Sequence, residues 1–150
     1  MVAKLMLLGQ PTYGIFGWKD AQQFIVLQRM VKDLAIPIEM IGVDTVREAD
    51  GLAKSSRNKR LTPEARAAAP AIYRGLCAAQ RLFALGETDA QRLLNAARAQ
   101  IESAEGLTIE YLEARSLTTL EEIETARGGD TILAVAVWAG DVRLIDNIRL

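Results

Sequence analysis

Residues Val46 to Asn58 read VREADGLAKSSRN and carry neither a helical period nor the alternation of a strand. On one side lies an apolar run, Ile36 to Val43 (IPIEMIGV), and on the other an alanine-rich segment that begins at Thr62. A patternless stretch between two patterned ones separates parts of the chain that follow different rules, and the boundary is placed near Thr45. The same stretch carries chemistry. Lys54-Ser55-Ser56-Arg57-Asn58 puts two cations around two hydroxyls and adds an amide. Arg offers a planar fork of donors, Lys a point charge and Ser short hydroxyl donors, so such a loop can wrap an anion. An ordinary basic surface loop has this composition too, and residue chemistry alone leaves both readings open.

Before the boundary, Val2 to Leu8 is mostly apolar, and a run this short does not distinguish a buried strand from the end of a helix. Pro11-Thr12-Tyr13-Gly14 is turn chemistry, Ile15-Phe16 reads as a short strand end, and Gly17 follows. From Lys19 the period becomes helical: Phe24, Leu27, Met30, Val31 and Leu34 recur at spacings of three and four, and Pro37 ends the stripe. Ile38 to Val43 is a second strand. The order strand, short loop, helix, strand is a βαβ unit, with Lys19 and Asp20 where the chain passes from a strand's carboxyl end into a helix. Parallel α/β sheets bind ligands there, and a helix N-terminus favours anions. One βαβ unit cannot cover both faces of parallel strands, so more strands are expected from a partner or from a part of the domain outside this chain.

After the boundary, Thr62-Pro63-Glu64 is a helix start with an N-cap Thr, Pro at the first helical position and an acid in the first turn. Ala69, Ile72, Tyr73, Leu76 and Phe83 carry that helix to about Leu85; Pro70 should kink it and Gly86 stop it. Thr88 to Gln91 has capping-box spacing, and Leu93, Leu94, Ala97 and Ile101 continue a second helix to about Ala104. The period changes to two at Leu107, so LTIEYLE reads as a half-buried strand. Thr119 to Ala126 reads as a short helix or turn. Thr131 to Trp138 is a strong strand, Gly140-Asp141 a hairpin turn, and Val142 to Leu150 a last strand. Two helices and a three-stranded antiparallel sheet make an α+β layer arrangement.

Composition limits the chemistry. The 150 residues include 18 basic and 19 acidic side chains, a net charge of -1, so no long-range field draws nucleic acid or a membrane surface and an anion site must be local. Histidine is absent, which removes Ser-His-Asp and Cys-His catalysis and His-ligated metals from this chain. Cys77 is the one cysteine, so no intrachain disulfide forms and a cysteine metal site is not expected. No apolar run approaches the roughly 18 residues of a membrane span, and a soluble, cytoplasmic protein is expected.

Two stretches together resemble a known family. Phe16-Gly17-x-Lys19-Asp20-Ala21-Gln22-Gln23, then Gly42-Val43-x-Thr45-Val46-Arg47-Glu48-Ala49-Asp50-Gly51-Leu52-Ala53-x-Ser55-Ser56-Arg57-Asn58, are similar to pantoate–β-alanine ligases. Val2-x-Lys4-Leu5 and Leu144-Ile145-Asp146-Asn147 extend the likeness over essentially the whole chain. The resemblance implies condensation of pantoate with β-alanine at the expense of ATP, through a pantoyl-adenylate, with release of AMP and pyrophosphate. It implies magnesium, a homodimer, and a Rossmann-like nucleotide-binding domain followed by a small α+β lid. Residues 1–45 would then be the last βαβ unit of the ATP/pantoate-binding domain and 46–150 the lid. By position, the resemblance implies ribose contacts for Gly17 and Asp20, phosphate for Lys19, pantoate for Gln23, adenine for the backbone of Val46, and phosphate for Ser55, Ser56 and Arg57. No protein metal ligand is implied here. Lys19, Ser55, Ser56 and Arg57 are the residues expected to carry catalysis.

The chemistry agrees with that assignment. In adenylation the carboxylate of pantoate is itself the nucleophile, so the protein need only position groups and neutralise charge on a five-coordinate phosphate. Cations and donors suffice, and no histidine base is required. Lys19 and Arg57 would grip phosphate from opposite sides, and lid closure would shield a hydrolysable acyl-adenylate. Plainer roles stand beside these. Lys19 and Asp20 suit a first-turn pair, Gln23 a solvated side chain, Glu48 and Asp50 a shaped hinge loop, Cys77 the core, and Trp18 and Trp138 packing. Trp18 and Lys54 depart from the family's usual residues. The family's His-x-Gly-His turn has no counterpart here, so the sequence reads as the C-terminal half of the ligase: a cloned piece, a proteolytic product or a split-gene product. Little or no ligase activity is expected of it alone, and self-association through the uncovered sheet is. The alternative from another class is a non-enzymatic assembly module that keeps a vestigial phosphate loop.

Overall fold

Apolar spacing in residues 1–45 produces two parallel strands and two helices. The computed structural model describes all of Met1–Leu150, and it divides into two units, Met1–Thr45 and Val46–Leu150. The first contains α1 (Val2–Gly9), β1 (Tyr13–Gly17), a 3₁₀ turn (Trp18–Asp20), α2 (Ala21–Asp33) and β2 (Glu39–Val43). The ambiguous run at Val2 is thus helical. Its Leu, Met, Ala and Lys are good helix formers, and it ends at Gln10, whose left-handed φ of 43° lets its N–H reach the carbonyl of Met6. The strand that opens the βαβ unit is β1. It pairs in parallel with β2, Tyr13 opposite Glu39 and Gly17 opposite Val43.

Helix α2 buries Ala21, Phe24, Ile25, Leu27 and Val31. Leu34, read as the last residue of this stripe, is exposed instead. The helix stops at Asp33, and Ala35 turns the chain with φ 48° before Pro37. Met6, Val31 and Ile36 form a small core. Trp18 meets Phe24 edge to face, 4.8 Å between ring centroids. Both rings lie over Gly42, where an added Cβ would overlap the Trp18 ring and come within 2.7 Å of Phe24. Trp18 is therefore a packing residue. The other face of the strand pair is open: Tyr13, Ile15, Ile41 and Val43 alternate onto one side, and Ile15 is 66% exposed. Parallel strands ordinarily have both faces covered, and this unit does not supply the second cover.

The second unit contains a 3₁₀ helix (Ser56–Arg60), α3 (Pro63–Ala68), α4 (Ala71–Ala84), α5 (Ala90–Glu102), β3 (Leu107–Ser116), β4 (Thr131–Ala139) and β5 (Val142–Arg149). Thr62 caps α3 by accepting a hydrogen bond from the Ala65 N–H, as the Thr-Pro-Glu start requires. Pro70 does more than kink a helix. It ends one and becomes the N-cap residue of the next, because its ring cannot occupy a helix interior, so the region holds three α-helices rather than two. The cap of α5 is Asp89, which accepts from the N–H of Arg92, and not Thr88, whose carbonyl is bonded to the N–H of Ala126. Thr119 to Ala126 forms no helix. Its backbone instead bonds outward: the Ile123 N–H donates to the Ala114 carbonyl, the Ala126 N–H donates to the Thr88 carbonyl, and the Glu124 carbonyl accepts from the Ala90 N–H, which takes these groups out of a helical ladder.

The sheet runs β3-β4-β5, antiparallel throughout, with a bulge between Ile109 and Tyr111. Central strand β4 lays Leu133, Val135, Val137 and Ala139 into a core with Ile72, Leu76, Leu93, Ala97 and Ile101 of the helices. Helices α4 and α5 approach closely at Gly75, where an added Cβ would lie 2.7 Å from the Ala97 carbonyl oxygen and 2.8 Å from Ile101.

Two outcomes are expected. Gly75→Ala gains up to about 1 kcal/mol of helix propensity but loses about 1–3 kcal/mol to overpacking against a fixed backbone. The net is a lower Tm by circular dichroism; a higher Tm would show a looser helix contact. The second concerns acid. Arg143 holds the Glu110 carboxyl below its ordinary value by hydrogen bonding, and Thr118 does the same for Asp130. Carboxyls depressed in the folded state contribute stability above their unfolded pKa and lose it as pH falls through the folded one. With no histidine to titrate, Tm should be nearly flat from about pH 5.5 to 7 and fall below about pH 4. A transition near pH 6 would contradict this.

Candidate functional site

In the first unit, four of the expected residues gather at one end of α2. Gly17 closes β1 in an extended conformation (φ -80°, ψ 137°), and nothing lies within 4 Å of the position its Cβ would take. The chain then makes the 3₁₀ turn Trp18-Lys19-Asp20. Asp20 occupies the N-cap position of α2, yet its side chain makes no capping bond. Gln23 is exposed on the first turn, one turn beyond Lys19 and Asp20. A bare helix start with a half-buried lysine, a carboxylate and an amide offers cation, acceptor and donor around open backbone.

In the second unit, the stretch that looked patternless in sequence is a tight hairpin. Arg47 and Ala53 bridge in antiparallel fashion. The Lys54 N–H donates to the Val46 carbonyl at 2.9 Å, and the Glu48 N–H to the Leu52 carbonyl at 2.8 Å. Gly51 turns the chain at φ 94°. Asp50 shapes the turn: it accepts from the Leu52 N–H and pairs with Arg66 at 2.6 Å. That hydrogen bond to Arg66 holds its carboxyl below the ordinary range. The hairpin sets exposed Val46 directly beside Lys54 and so beside the Ser-Ser-Arg run.

The run itself enters a 3₁₀ helix. Ser55 caps it, its Oγ accepting from the Arg57 N–H at 3.2 Å, which leaves the hydroxyl hydrogen to donate elsewhere. Ser56 and Arg57 are exposed. Asn58 turns back and donates from Nδ2 to the Ala53 carbonyl at 3.1 Å, while its buried Oδ1 has no hydrogen-bond partner. The structure therefore brings Val46, Ser55, Ser56 and Arg57 onto one short piece of chain, and Gly17, Lys19, Asp20 and Gln23 onto another.

Sequence reasoning gave no role to the residues that hold the hairpin. The Arg47 guanidinium makes a bidentate pair with Asp146 (2.6 and 3.0 Å) and donates to the Gly51 carbonyl at 3.1 Å. It also lies over the Tyr73 ring, 3.6 Å from its centroid. No local pattern signals a pair so distant in sequence. Cys77 is half-buried rather than core; its hydrogen bond with Tyr73, together with burial, pushes the Tyr73 phenol above its ordinary pKa.

Elsewhere, a groove of about 730 Å³ runs between Asp89, Leu94, Glu113, Glu122 and Ile123, and it includes none of the expected residues. Its Glu113 and Glu122 are paired with Arg115. No three His, Cys, Asp or Glu side chains converge to hold a metal ion. No helix is long and apolar enough to cross a membrane.

The family model described as pantoate-beta-alanine ligase matches residues 1–149. The pantothenate synthetase of Pseudomonas fluorescens is 47% identical over 150 residues, which are 100% of this chain and 52% of that protein. That of Moorella thermoacetica is 45% identical over 100% of this chain and 53% of its own length. Among solved structures, the pantothenate synthetase of Thermus thermophilus superposes with a TM-score of 0.92 at 40% identity, covering 99% of this chain and 53% of that one. A pantoate-beta-alanine ligase of Francisella tularensis, complexed with beta-gamma ATP and beta-alanine, matches with a TM-score of 0.65 at 28% identity over 99% of this chain and 47% of that one. The chain spans about half the length of the curated relatives it matches.

The hairpin turn yields its own test. At Gly51 a Cβ would suffer left-handed strain and lie 2.7 Å from Tyr73, whereas at Gly86 (φ 101°) it would meet nothing. Left-handed backbone alone costs about 1–2 kcal/mol. Gly51→Ala should therefore lower the urea midpoint more than Gly86→Ala; equal effects would show that the Tyr73 contact is unimportant.

Proposed function

The chain belongs to the pantoate-beta-alanine ligase family, and on that premise we propose that it supplies the C-terminal half of an ATP-dependent ligase that joins pantoate to β-alanine. In this reading residues 1–45 are the last βαβ unit of a Rossmann-like catalytic domain and 46–150 its lid. The observation that supports it is the hairpin that ties Val46 to Lys54 at 2.9 Å, because a backbone assigned to adenine then lies beside a Ser-Ser-Arg run assigned to phosphate.

The proposed chemistry uses these residues without a protein nucleophile. The pantoate carboxylate attacks the α-phosphorus of ATP, the bond to the β-phosphate oxygen breaks, and pyrophosphate leaves with its electron pair. The amine of β-alanine then attacks the acyl carbon, loses a proton, and AMP departs. Charge accumulates on phosphate oxygens in the first step. Lys19 and Arg57 offset it, and the Ser55 and Ser56 hydroxyls donate to it. Gly17, with open space over its backbone, and Asp20, whose carboxylate is not spent on a cap, are assigned to the ribose. Gln23 is assigned to pantoate. Magnesium would accompany ATP and help neutralise phosphate charge, its ligands lying mostly outside this chain.

The open face of Tyr13, Ile15, Ile41 and Val43 is assigned to the remaining half of the ligase, which would complete the sheet. Without that half, turnover is not expected, but nucleotide binding is. Calorimetry of the chain with Mg-ATP should show binding, and Arg57→Ala should weaken it roughly tenfold or more, the range for loss of a charge-assisted hydrogen bond. Binding that is unchanged in Arg57→Ala would remove the phosphate assignment.

A further inference from the structure

Arg47 contacts four groups at once, and all of them belong to elements other than the loop's outer arm or to the turn it closes. Its two terminal nitrogens meet the two carboxylate oxygens of Asp146 at 2.6 and 3.0 Å. One of them also donates to the Gly51 carbonyl at 3.1 Å, and the other reaches the Asn147 carbonyl at 3.4 Å. The guanidinium plane rests on Tyr73 of α4, and the same ring packs against the backbone of Gly51. Asp146 lies in the middle of β5, with its side chain only 4% exposed, and its Oδ1 also accepts from the Asn147 N–H.

We infer that Arg47 is a positioning residue, whose pairing with Asp146 and stacking on Tyr73 fix the Val46–Lys54 hairpin to β5 and α4 and so hold Val46 and the Ser55–Arg57 run ready for the nucleotide. The inference rests on the reading of those residues as the nucleotide grip. The arrangement has the properties such a joint requires. A bidentate Arg–carboxylate pair fixes orientation as well as distance, which a lysine point charge does not. Burial keeps salt from screening it. Buried ion pairs are a poor source of net stability, and setting a register is the use best attested for them. The pair Asp50–Arg66, by comparison, is more exposed and so more screened by salt. Beyond the joint, Asn58 passes the constraint along by holding the Ala53 carbonyl.

The test is amide hydrogen exchange by NMR on the whole chain, reading the N–H groups of Glu48, Gly51 and Lys54, each of which donates within the hairpin. The amides of Val135 and Val137 in β4 serve as the internal reference. Arg47→Lys retains charge and length and is the variant chosen because removing Asp146 altogether could unfold the unit; Asp146→Asn is the second. In both, the hairpin amides should exchange at least tenfold faster while the β4 amides stay within about twofold, since local opening is read separately from global unfolding. Tyr73→Phe keeps the ring and should leave the hairpin amides protected. Unchanged hairpin protection in Arg47→Lys overturns the inference, and so does a loss spread equally over β4, which would mark a general structural role. In wild-type chain that binds Mg-ATP, Arg47→Lys should also weaken binding at least threefold without a matching fall in Tm. Exchange needs no nucleotide, so a wild-type chain that fails to bind ATP removes the functional reading while the exchange result still decides the joint.

Discussion

Leu133, Val135 and Val137 of β4 have no exposed surface and Ala139 has 1%, and the second unit is arranged to keep them so. The strand is hydrogen-bonded on both edges, to β3 and β5, and its core face is roofed by α4 and α5. Burial of a large aliphatic side chain stabilises by about 1.5–3 kcal/mol, so this row anchors everything that touches it. The close helix contact at Gly75 follows, because the roof must be thin enough for both helices to reach the sheet. So does the position of Asp146, which β5 can present to Arg47 only because β5 is registered on β4, Asp146 opposite Val135.

The first unit has a smaller anchor, chiefly Phe24 at 2% exposed. Met6, Val31 and Ile36 cluster apart with a few partly covered neighbours, and the outer face of its two strands is largely apolar and open. A parallel pair of this kind leaves one face of its strands without a cover. The residues proposed for nucleotide and pantoate nevertheless sit where short-range structure puts them: Gly17, Lys19, Asp20 and Gln23 are placed by the strand-to-helix turn alone. This is why the βαβ order could be read from spacing and Pro37, and why β4 could be read from an unbroken apolar run. The Thr62 cap was equally legible, being a contact between near neighbours.

What escaped the sequence was decided by contacts over distance. Pro70 looked like a kink because a single helical stripe continues through it; packing against the sheet accepts two helices as readily as one bent one. Thr119 to Ala126 has helical composition, but the Ile123 N–H is taken by β3 and the Glu124 carbonyl by the start of α5. The Thr88 carbonyl was likewise claimed from outside, which moved the cap to Asp89. Arg47 and Asp146 both lie in the stretches that resemble the family, but nothing in their spacing signals that they pair. At Val46 to Asn58, residue types left an anion loop and an ordinary basic loop both open, while the hairpin that shapes the stretch depends on Gly51, Tyr73 and Asp146.

The chemistry assigned to the chain suits a protein with no histidine. Adenylation by a substrate carboxylate calls for charge and placement, and both units carry cations on short, backbone-shaped segments. The central claim is that these segments serve one ligase shared with a second stretch of polypeptide. The most direct measurement mixes this chain with the segment of the Thermus thermophilus relative that it does not match, supplies ATP, magnesium, pantoate and β-alanine, and follows AMP. The account predicts AMP and pantothenate formed in equal amounts only when both pieces are present, and abolished by Lys19→Ala. A mixture whose two pieces associate stably yet release no AMP would contradict it.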